Sequence, residues 1–424
     1  MRVGIFGGGV VGGGVYEIIK KCMGNGKFPK LGANIEIIKI CVRSLNKPRD
    51  YTVGSECEFV TDYGAILNDG SIDTVVEVMG GTTHAKDVVM QAIAAGKHVV
   101  TANKALVATC LPEIKEALAK APSVKFAYEA AVCGGIPIIH ALQSDFMCDD
   151  VTRVLGIMNG TTNFMLCKME DEGAAYEAVL KEAQDLGFAE ADPTADVEGL
   201  DVQAKIALLA NLAYGVVVPT TTIPTAGISQ IASVDFEYAK TLKSTIKLIG
   251  CATKSSAGDG SLAVYVAPMV VPLTSPLASA KGAGNMVVLN SENNTQSILA
   301  GPGAGRYPTA NSVVADLLRL SLEQVPTPFP METDIALDND YDGEFYVRVN
   351  CRDRLGIIKS VGEAAEKAGV SVHAILQNPI SNHENFDFVV TTERCKLSNV
   401  NAFAEAIEGA DFALSMPLVM PILG

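Results

Sequence analysis

The run Gly7-Gly8-Gly9-Val10-Val11-Gly12 restricts the fold more than any other feature of this chain. It satisfies G-x-G-x-x-G through Gly7, Gly9 and Gly12, and follows directly on the apolar residues 3–6. A strand before it and a helix after it make a turn in which glycines let the backbone approach a pyrophosphate. The helix N-terminus then offers amide donors and the positive end of its dipole. In a chain with 39 glycines the bare motif is weak, and a tight structural turn is the competing reading. Its surroundings strengthen it. Short apolar runs at 35–41, 74–79, 98–101 and 124–128 alternate with helical stretches such as 84–95 and 112–120. Strand and helix in repetition imply an α/β domain, a parallel sheet with helices on both faces.

The pattern changes after Gly134-Gly135-Ile136-Pro137. Helices are expected over 163–170, 174–186, 199–214 and 235–250, then Val-rich strands over 262–271, 286–289 and 296–300, which together suggest an α+β domain. Gly301-Pro302-Gly303-Ala304-Gly305 opens a further helix over 308–320, and residues 324–330 hold three prolines and read as a linker. Beyond it, segments 345–350, 356–367, 370–375, 385–392, 400–407 and 412–419 read β-α-β-β-α-β. The expected division is a nucleotide-binding domain of residues 1–135 plus about 301–323 and a substrate and dimerisation domain of 136–300. A linker of 324–342 then leads to a small module of 343–424. A length of 424 residues requires two or three domains.

Hydrophobic residues at 48% against 19% charged exclude a disordered chain and suggest that apolar surface is hidden between subunits of a homo-oligomer, a dimer or tetramer. A net charge of −15 argues against nucleic-acid or anionic-membrane partners. Ten cysteines without a C-x-x-C pair indicate neither a zinc site nor a redox dithiol, and their apolar neighbours suggest buried, reduced thiols. No apolar stretch reaches the length of a membrane span, and no signal peptide precedes residues 3–6. A cytoplasmic protein is expected, and one that follows a removed transit peptide fits the sequence equally.

The end of the second strand selects the dinucleotide. An NAD site places an acidic residue there for the ribose hydroxyls, whereas this chain has Val42-Arg43-Ser44, then Lys47 and Arg49. A guanidinium forks onto phosphate oxygens, so NADP is expected to be preferred through Arg43, with help from Lys47 or Arg49, and NAD is the second option. Solvated loop charges are the bland alternative. Lys104 follows the fifth strand, at the carboxyl edge where such sheets bind ligands.

The helix starting near Gly199 carries Asp201 and Lys205 four residues apart, ordinarily a weak exposed ion pair. From Val202 to Ala213 the other polar residues are only Gln203 and Asn211. A helix apolar nearly all round is buried, so this pair is desolvated or lines a pocket, where charges are kept for chemistry.

The spacing Ala183-x-x-x-Gly187-Phe188-Ala189-x-x-Asp192-Pro193-x-x-Asp196-Val197-x-Gly199-x-Asp201-x-x-x-Lys205 resembles the signature of homoserine dehydrogenases at every fixed position. Thr101-Ala102-Asn103-Lys104, Asn159-Gly160-Thr161-Thr162-Asn163 and the 301–305 loop resemble the same family, and the resemblance covers essentially the whole chain. It implies interconversion of L-aspartate 4-semialdehyde and L-homoserine with NAD(P)H, in a monofunctional enzyme of threonine and methionine biosynthesis. By resemblance Lys205 is the acid/base residue, Asp201 orients it and the substrate, and Glu190 with the Gly187 backbone holds the substrate's amino group. Lys104 contacts cofactor or substrate and assists catalysis, while Gly7, Gly9, Val10, Val11, Gly12, Arg43 and Gly305 hold the cofactor. Glu129, Val132, Gly134 and Ile136 match the family's monovalent-cation site, read as one carboxylate and three main-chain carbonyls suited to sodium. His84, His98 and His140 lack ligand spacing and read as structural. The last module resembles an ACT domain of ferredoxin-like βαββαβ order, with threonine as the implied effector. Asp353-Arg354-Leu355-Gly356 stands at its first turn, where many relatives have proline in place of Leu355. Two rivals remain open: another NADP-dependent aldehyde or hydroxy-acid dehydrogenase, and a non-catalytic NADP or amino-acid sensor.

Overall fold

The structure is a computed structural model that describes residues 1–255, 260–380 and 382–424. Its principal elements begin with β1 (Arg2–Phe6), α1 (Val10–Gly24), β2 (Glu36–Cys41), β3 (Glu58–Val60), β4 (Thr74–Glu77), α2 (Thr83–Ala94), β5 (His98–Thr101), α3 (Lys104–Thr109) and β6 (Phe126–Ala127). There follow β7 (Val151–Ile157), α4 (Gly160–Glu172), α5 (Leu200–Tyr214), β8 (Ser244–Lys254), β9 (Leu262–Pro272), β10 (Gly284–Ser291), β11 (Thr295–Pro302) and α6 (Arg306–Ser321). The last are β12 (Asp342–Cys351), α7 (Ile357–Ala368), β13 (Val372–Gln377), β14 (Phe386–Thr392), β15 (Cys395–Lys396), α8 (Leu397–Glu408) and β16 (Leu418–Ile422).

The chain divides into two compact units. The first holds Met1–Val154, Ala204–Thr222 and Leu289–Asp334. Its sheet runs β3-β2-β1-β4-β5-β6 with every neighbour parallel, the order of a doubly wound dinucleotide fold with its switch point between β1 and β4. α6 packs on α1, and its Ala310, Val313, Val314 and Leu317 join Val3, Ile5, Val15 and Ile19 in one core. The helix after Gly305 thus belongs to this unit. Strand β3 was not expected, because three residues are too few to show an alternation.

The second unit holds Leu155–Gln203, Ile223–Val288 and Ile335–Gly424. Its sheet runs β10-β7-β8-β9-β16-β12-β14-β13, with β15 paired to β12. Strands β8 and β9 are buried on both faces along nearly their whole length, which for β9 matches its unbroken apolar content and for β8 includes the charged Lys247. The final segment is a βαββαβ unit whose strands lie in the order fourth, first, third, second, over a core of Phe345, Val347, Val361, Phe388, Phe403 and Ile407. It shares a compact unit with β8 and β9, because β16 adds in parallel to β9 through Ile422 and Val270.

Two expectations fail here. The helix expected over 235–250 stops at Thr241, and Lys243 takes a left-handed φ of 52° that turns the chain into β8. The β-branched Thr245 and Ile246, paired along β9, prevail over the helical spacing. The last strand lies at Leu418–Ile422 rather than 412–419, and Ala413 makes only an isolated bridge to Cys351. Eight cysteines are buried, Cys395 is half-buried and Cys148 is exposed. No helix among the described residues is long and apolar enough to cross a membrane.

Candidate active site

At the glycine turn Gly7 needs its φ of +112°, and a Cβ on Gly12 would stand 1.9 Å from the Gly7 carbonyl oxygen. A Cβ on Gly9, the N-cap, would meet nothing within 4 Å. Helix α1 has no side-chain cap and no acidic residue in its first turn. Its leading amides are thus left for an anion, and the absent side chains leave room for one to approach, so the turn fits a dinucleotide diphosphate. Val10 is exposed there and Val11 half-buried. The Tyr51 hydroxyl donates to the Gly8 carbonyl at 3.1 Å, while Arg306, just after Gly305, pairs with Glu17 at 3.0 Å and with Asp50. These contacts hold the starts of α1 and α6 together.

Beyond β2, Arg43 and Lys47 are exposed and no carboxylate ends the strand. The Arg49 guanidinium donates to the carbonyls of Ser44 (2.8 Å) and Lys47 (3.0 Å) and lies 4.6 Å from the Phe59 ring centre, so it shapes the loop that carries Arg43 and Lys47.

Helix α5 begins after Gly199, whose φ of +79° sets the turn and whose missing Cβ admits Thr225 and Val266. Asp201 and Lys205 are both 7% exposed, so the exposed ion-pair reading is excluded. Asp201 Oδ2 accepts from Asn159 Nδ2 at 2.9 Å, and the same amide donates to Asp196 at 2.7 Å. The other end of Asn159 accepts from the Thr162 N–H at 2.8 Å and caps α4. The sequence shows Asn159 in a motif and assigns it no role. An Asn at an N-cap uses only its oxygen, and the spare amide was the available signal. Gly187 has a φ of +76°, and Glu190 is exposed on the same loop, its carbonyl held by Gln184 at 3.1 Å. Thr161 donates to the Phe188 carbonyl at 2.7 Å and seats that loop on α4. Lys104 is the first residue of α3, capped by Asn103 through the Leu106 N–H at 3.1 Å.

Glu129 is buried and its carboxylate is already engaged. It accepts the N–H groups of Ile139 (3.0 Å) and His140 (2.7 Å), and His140 Nδ1 lies 2.9 Å from Oε2. His140 Nε2 lies 2.9 Å from Asp316, which in turn accepts the Glu129 N–H at 2.9 Å. Burial pushes the Glu129 carboxyl up to about 8 and raises Asp316 well above the usual carboxylate range. The Glu129 carboxylate is thus engaged by the Ile139 and His140 N–H groups and the His140 ring. What the 129–136 loop offers a cation is main-chain oxygen. Cys133 and Gly134 are consecutive left-handed residues, and Gly134 and Ile136 carbonyls accept from Ser312 and Ile138. Each keeps a second lone pair, so the loop fits a weakly charged hard ion. His140 is buried and bridges Glu129 and Asp316.

Two family models match: "Homoserine dehydrogenase, NAD binding domain" over residues 7–129 and "Homoserine dehydrogenase" over residues 137–318. The homoserine dehydrogenase of Bacillus subtilis is 38% identical over 398 residues, 92% of this chain and 90% of its own length. That of Synechocystis is 37% identical, covering 100% and 99%. Among solved structures, a homoserine dehydrogenase from Thiobacillus denitrificans matches with a TM-score of 0.90 at 34% identity, covering 100% of this chain and 98% of that one. A hyperthermophilic archaeal homoserine dehydrogenase in complex with NADPH matches with a TM-score of 0.61 at 25% identity, covering 76% and 98%. A glycine turn that fits a dinucleotide, a buried lysine and a buried carboxylate four residues apart on one helix, and relatives aligned from end to end lead to one assignment: the chain belongs to the homoserine dehydrogenases, oxidoreductases that act on a CH–OH group.

Proposed function

We propose that this homoserine dehydrogenase works with NADP in preference to NAD and uses Lys205 as its acid/base residue. The observation that carries the reading is the burial of Lys205 and Asp201 on an otherwise apolar helix, with Asp201 fixed by Asn159. The nicotinamide, when bound, supplies or accepts the hydride. In reduction the Lys205 ammonium gives its proton to the carbonyl oxygen of aspartate semialdehyde; in oxidation the amine takes it back from the homoserine hydroxyl. Asp201 keeps the ammonium and the substrate oriented. Glu190 and the Gly187 backbone hold the substrate's amino group, and Lys104 assists from the start of α3. Gly7, Gly9, Val10, Val11, Gly12 and Gly305 bed the cofactor. The archaeal complex with NADPH supports a phosphorylated dinucleotide. Sodium would be held by the main-chain oxygens of Glu129, Val132, Gly134 and Ile136.

Residues 343–424 act as an ACT domain with threonine as effector, a reading supported by their βαββαβ order. Asp353 contacts His383 at 2.6 Å, Arg354 pairs with Asp411, and Leu355 is 96% exposed at the first turn. The working division is a nucleotide-binding domain, a substrate and dimerisation domain and this module, in a cytoplasmic homo-oligomer.

The test is cofactor reduction by L-homoserine, measured with NADP and NAD in parallel. Arg43→Ala is expected to raise the KM for NADP roughly tenfold or more, the worth of one lost charge-assisted bond to phosphate, and to leave that for NAD unchanged. An unchanged NADP KM would remove Arg43 from the site. Threonine is expected to inhibit and to raise the melting temperature. If it alters neither, the module is not a threonine sensor.

A further inference from the structure

Glu77 ends β4 with no exposed surface, and its carboxylate ties together the turns after β4 and β5. Oε1 accepts the Met79 N–H at 2.8 Å in the turn after β4. Oε2 accepts the Thr101 hydroxyl at 2.7 Å at the end of β5. Thr101 Oγ1 then accepts the Asn103 N–H at 3.0 Å, and Asn103 Nδ2 returns to the Gly81 carbonyl at 2.7 Å. A closed ring of hydrogen bonds thus joins the β4–α2 turn, with Gly80 and Gly81 at φ of 75° and 72°, to the β5–α3 turn that presents Lys104. The glycine turn joins as well: Val78 N–H donates to the Phe6 carbonyl at 2.9 Å, and a Cβ on Gly7 would stand 2.6 Å from the Val78 oxygen.

In a doubly wound sheet each half takes one mononucleotide. The β2 side, with Arg43, belongs to the adenosine and its 2′-phosphate, and the diphosphate to the start of α1. The β4 and β5 turns are left for the nicotinamide half. We infer that Glu77 is a positioning residue for that half: it fixes the turns on which the nicotinamide lies and the start of the helix that carries Lys104. The inference rests on the dinucleotide reading of the glycine turn. A buried carboxylate held by a hydroxyl and an amide rather than a cation is expensive to keep as mere packing, and burial raises it above the usual range.

The test uses the whole enzyme and its Glu77→Ala, Glu77→Gln and Thr101→Val variants, with three readouts: kcat for homoserine oxidation, the fluorescence of bound NADPH, and the affinity of adenosine 2′,5′-bisphosphate, which occupies only the adenosine half. Glu77→Ala is expected to lower kcat about 10²-fold, the cost of a small misplacement of reacting groups. It should also return bound NADPH fluorescence toward that of free NADPH and leave the bisphosphate affinity unchanged. Glu77→Gln keeps an acceptor for Met79 and can donate to Thr101 Oγ1, so it should recover most of the rate. Thr101→Val, which keeps the shape without the hydroxyl, should follow Glu77→Ala and decides the matter if that variant does not fold. Wild-type kcat and fluorescence in both disruptive variants, or an equal fall in bisphosphate affinity, would overturn the inference. Wild-type enzyme that binds neither NADPH nor the bisphosphate would instead bring down the dinucleotide reading beneath it.

Discussion

Lys205→Ala is expected to lower kcat for homoserine oxidation by about 10²–10⁴-fold, the usual share of a positioned proton donor or acceptor, with little change in NADPH affinity. The side chain is 7% exposed, so bulk water is poorly placed to replace it. Deleting it also leaves Asp201, equally buried, without a cationic neighbour one helical turn away. Asn159→Ala provides the companion measurement. It removes the 2.9 Å bond to Asp201 and the cap on α4, so it should reduce kcat by less than Lys205→Ala and lower the melting temperature as well. If Lys205→Ala turned over homoserine at close to the wild-type rate in steady-state assays, the proton would have to come from elsewhere and the assignment would fall.

Where a requirement is local and steric, it was legible in the residues. The glycine turn admits no side chain at Gly12 because the Gly7 carbonyl is 1.9 Å from where it would begin, and such a demand leaves its mark on the sequence. The buried helix with Asp201 and Lys205 was legible for a different reason, since apolar residues all round exclude a solvent face. Long-range matters were not. That Arg49 folds back on the Ser44 and Lys47 carbonyls is shown by nothing nearby in sequence. Which atoms of Glu129 face the loop depends on Asp316, 187 residues away, and no spacing encodes that. Glu77 is the single charge of an apolar strand and Lys247 falls in a stretch whose spacing predicts a helix, and neither setting shows burial. Only the fold reveals that both are fully buried.

Lys247→Ala is expected to cost about 3–5 kcal/mol of stability, since it truncates a large buried side chain and strands its partners. Lys247 Nζ donates to the Ala280 carbonyl at 2.9 Å and Asn163 Oδ1 at 3.1 Å and touches Cys167 Sγ at 3.2 Å. Among the described residues no carboxylate forms a salt bridge with it, so these three groups are its whole setting. Through Asn163, whose amide donates to the Gly282 and Gly284 carbonyls, the lysine fastens α4 and β8 to the 280–284 loop. Lys247→Met separates the contributions. It keeps the length of the stem and relieves the burial of an ammonium, and takes one donor each from the Ala280 carbonyl, which keeps the Asn163 amide at 3.3 Å, and from Asn163 Oδ1, which keeps the Cys167 thiol at 4.0 Å, a loss of about 1–3 kcal/mol. Thermal melting should place the variants in the order wild type, Met, Ala, with roughly 2–4 °C per kcal/mol in a domain of about 200 residues. Folded Lys247→Met should keep its kcat, because the lysine acts on packing and not on the reacting atoms. An alanine variant that melts with the wild type would show that the loop is held by Asn163 alone.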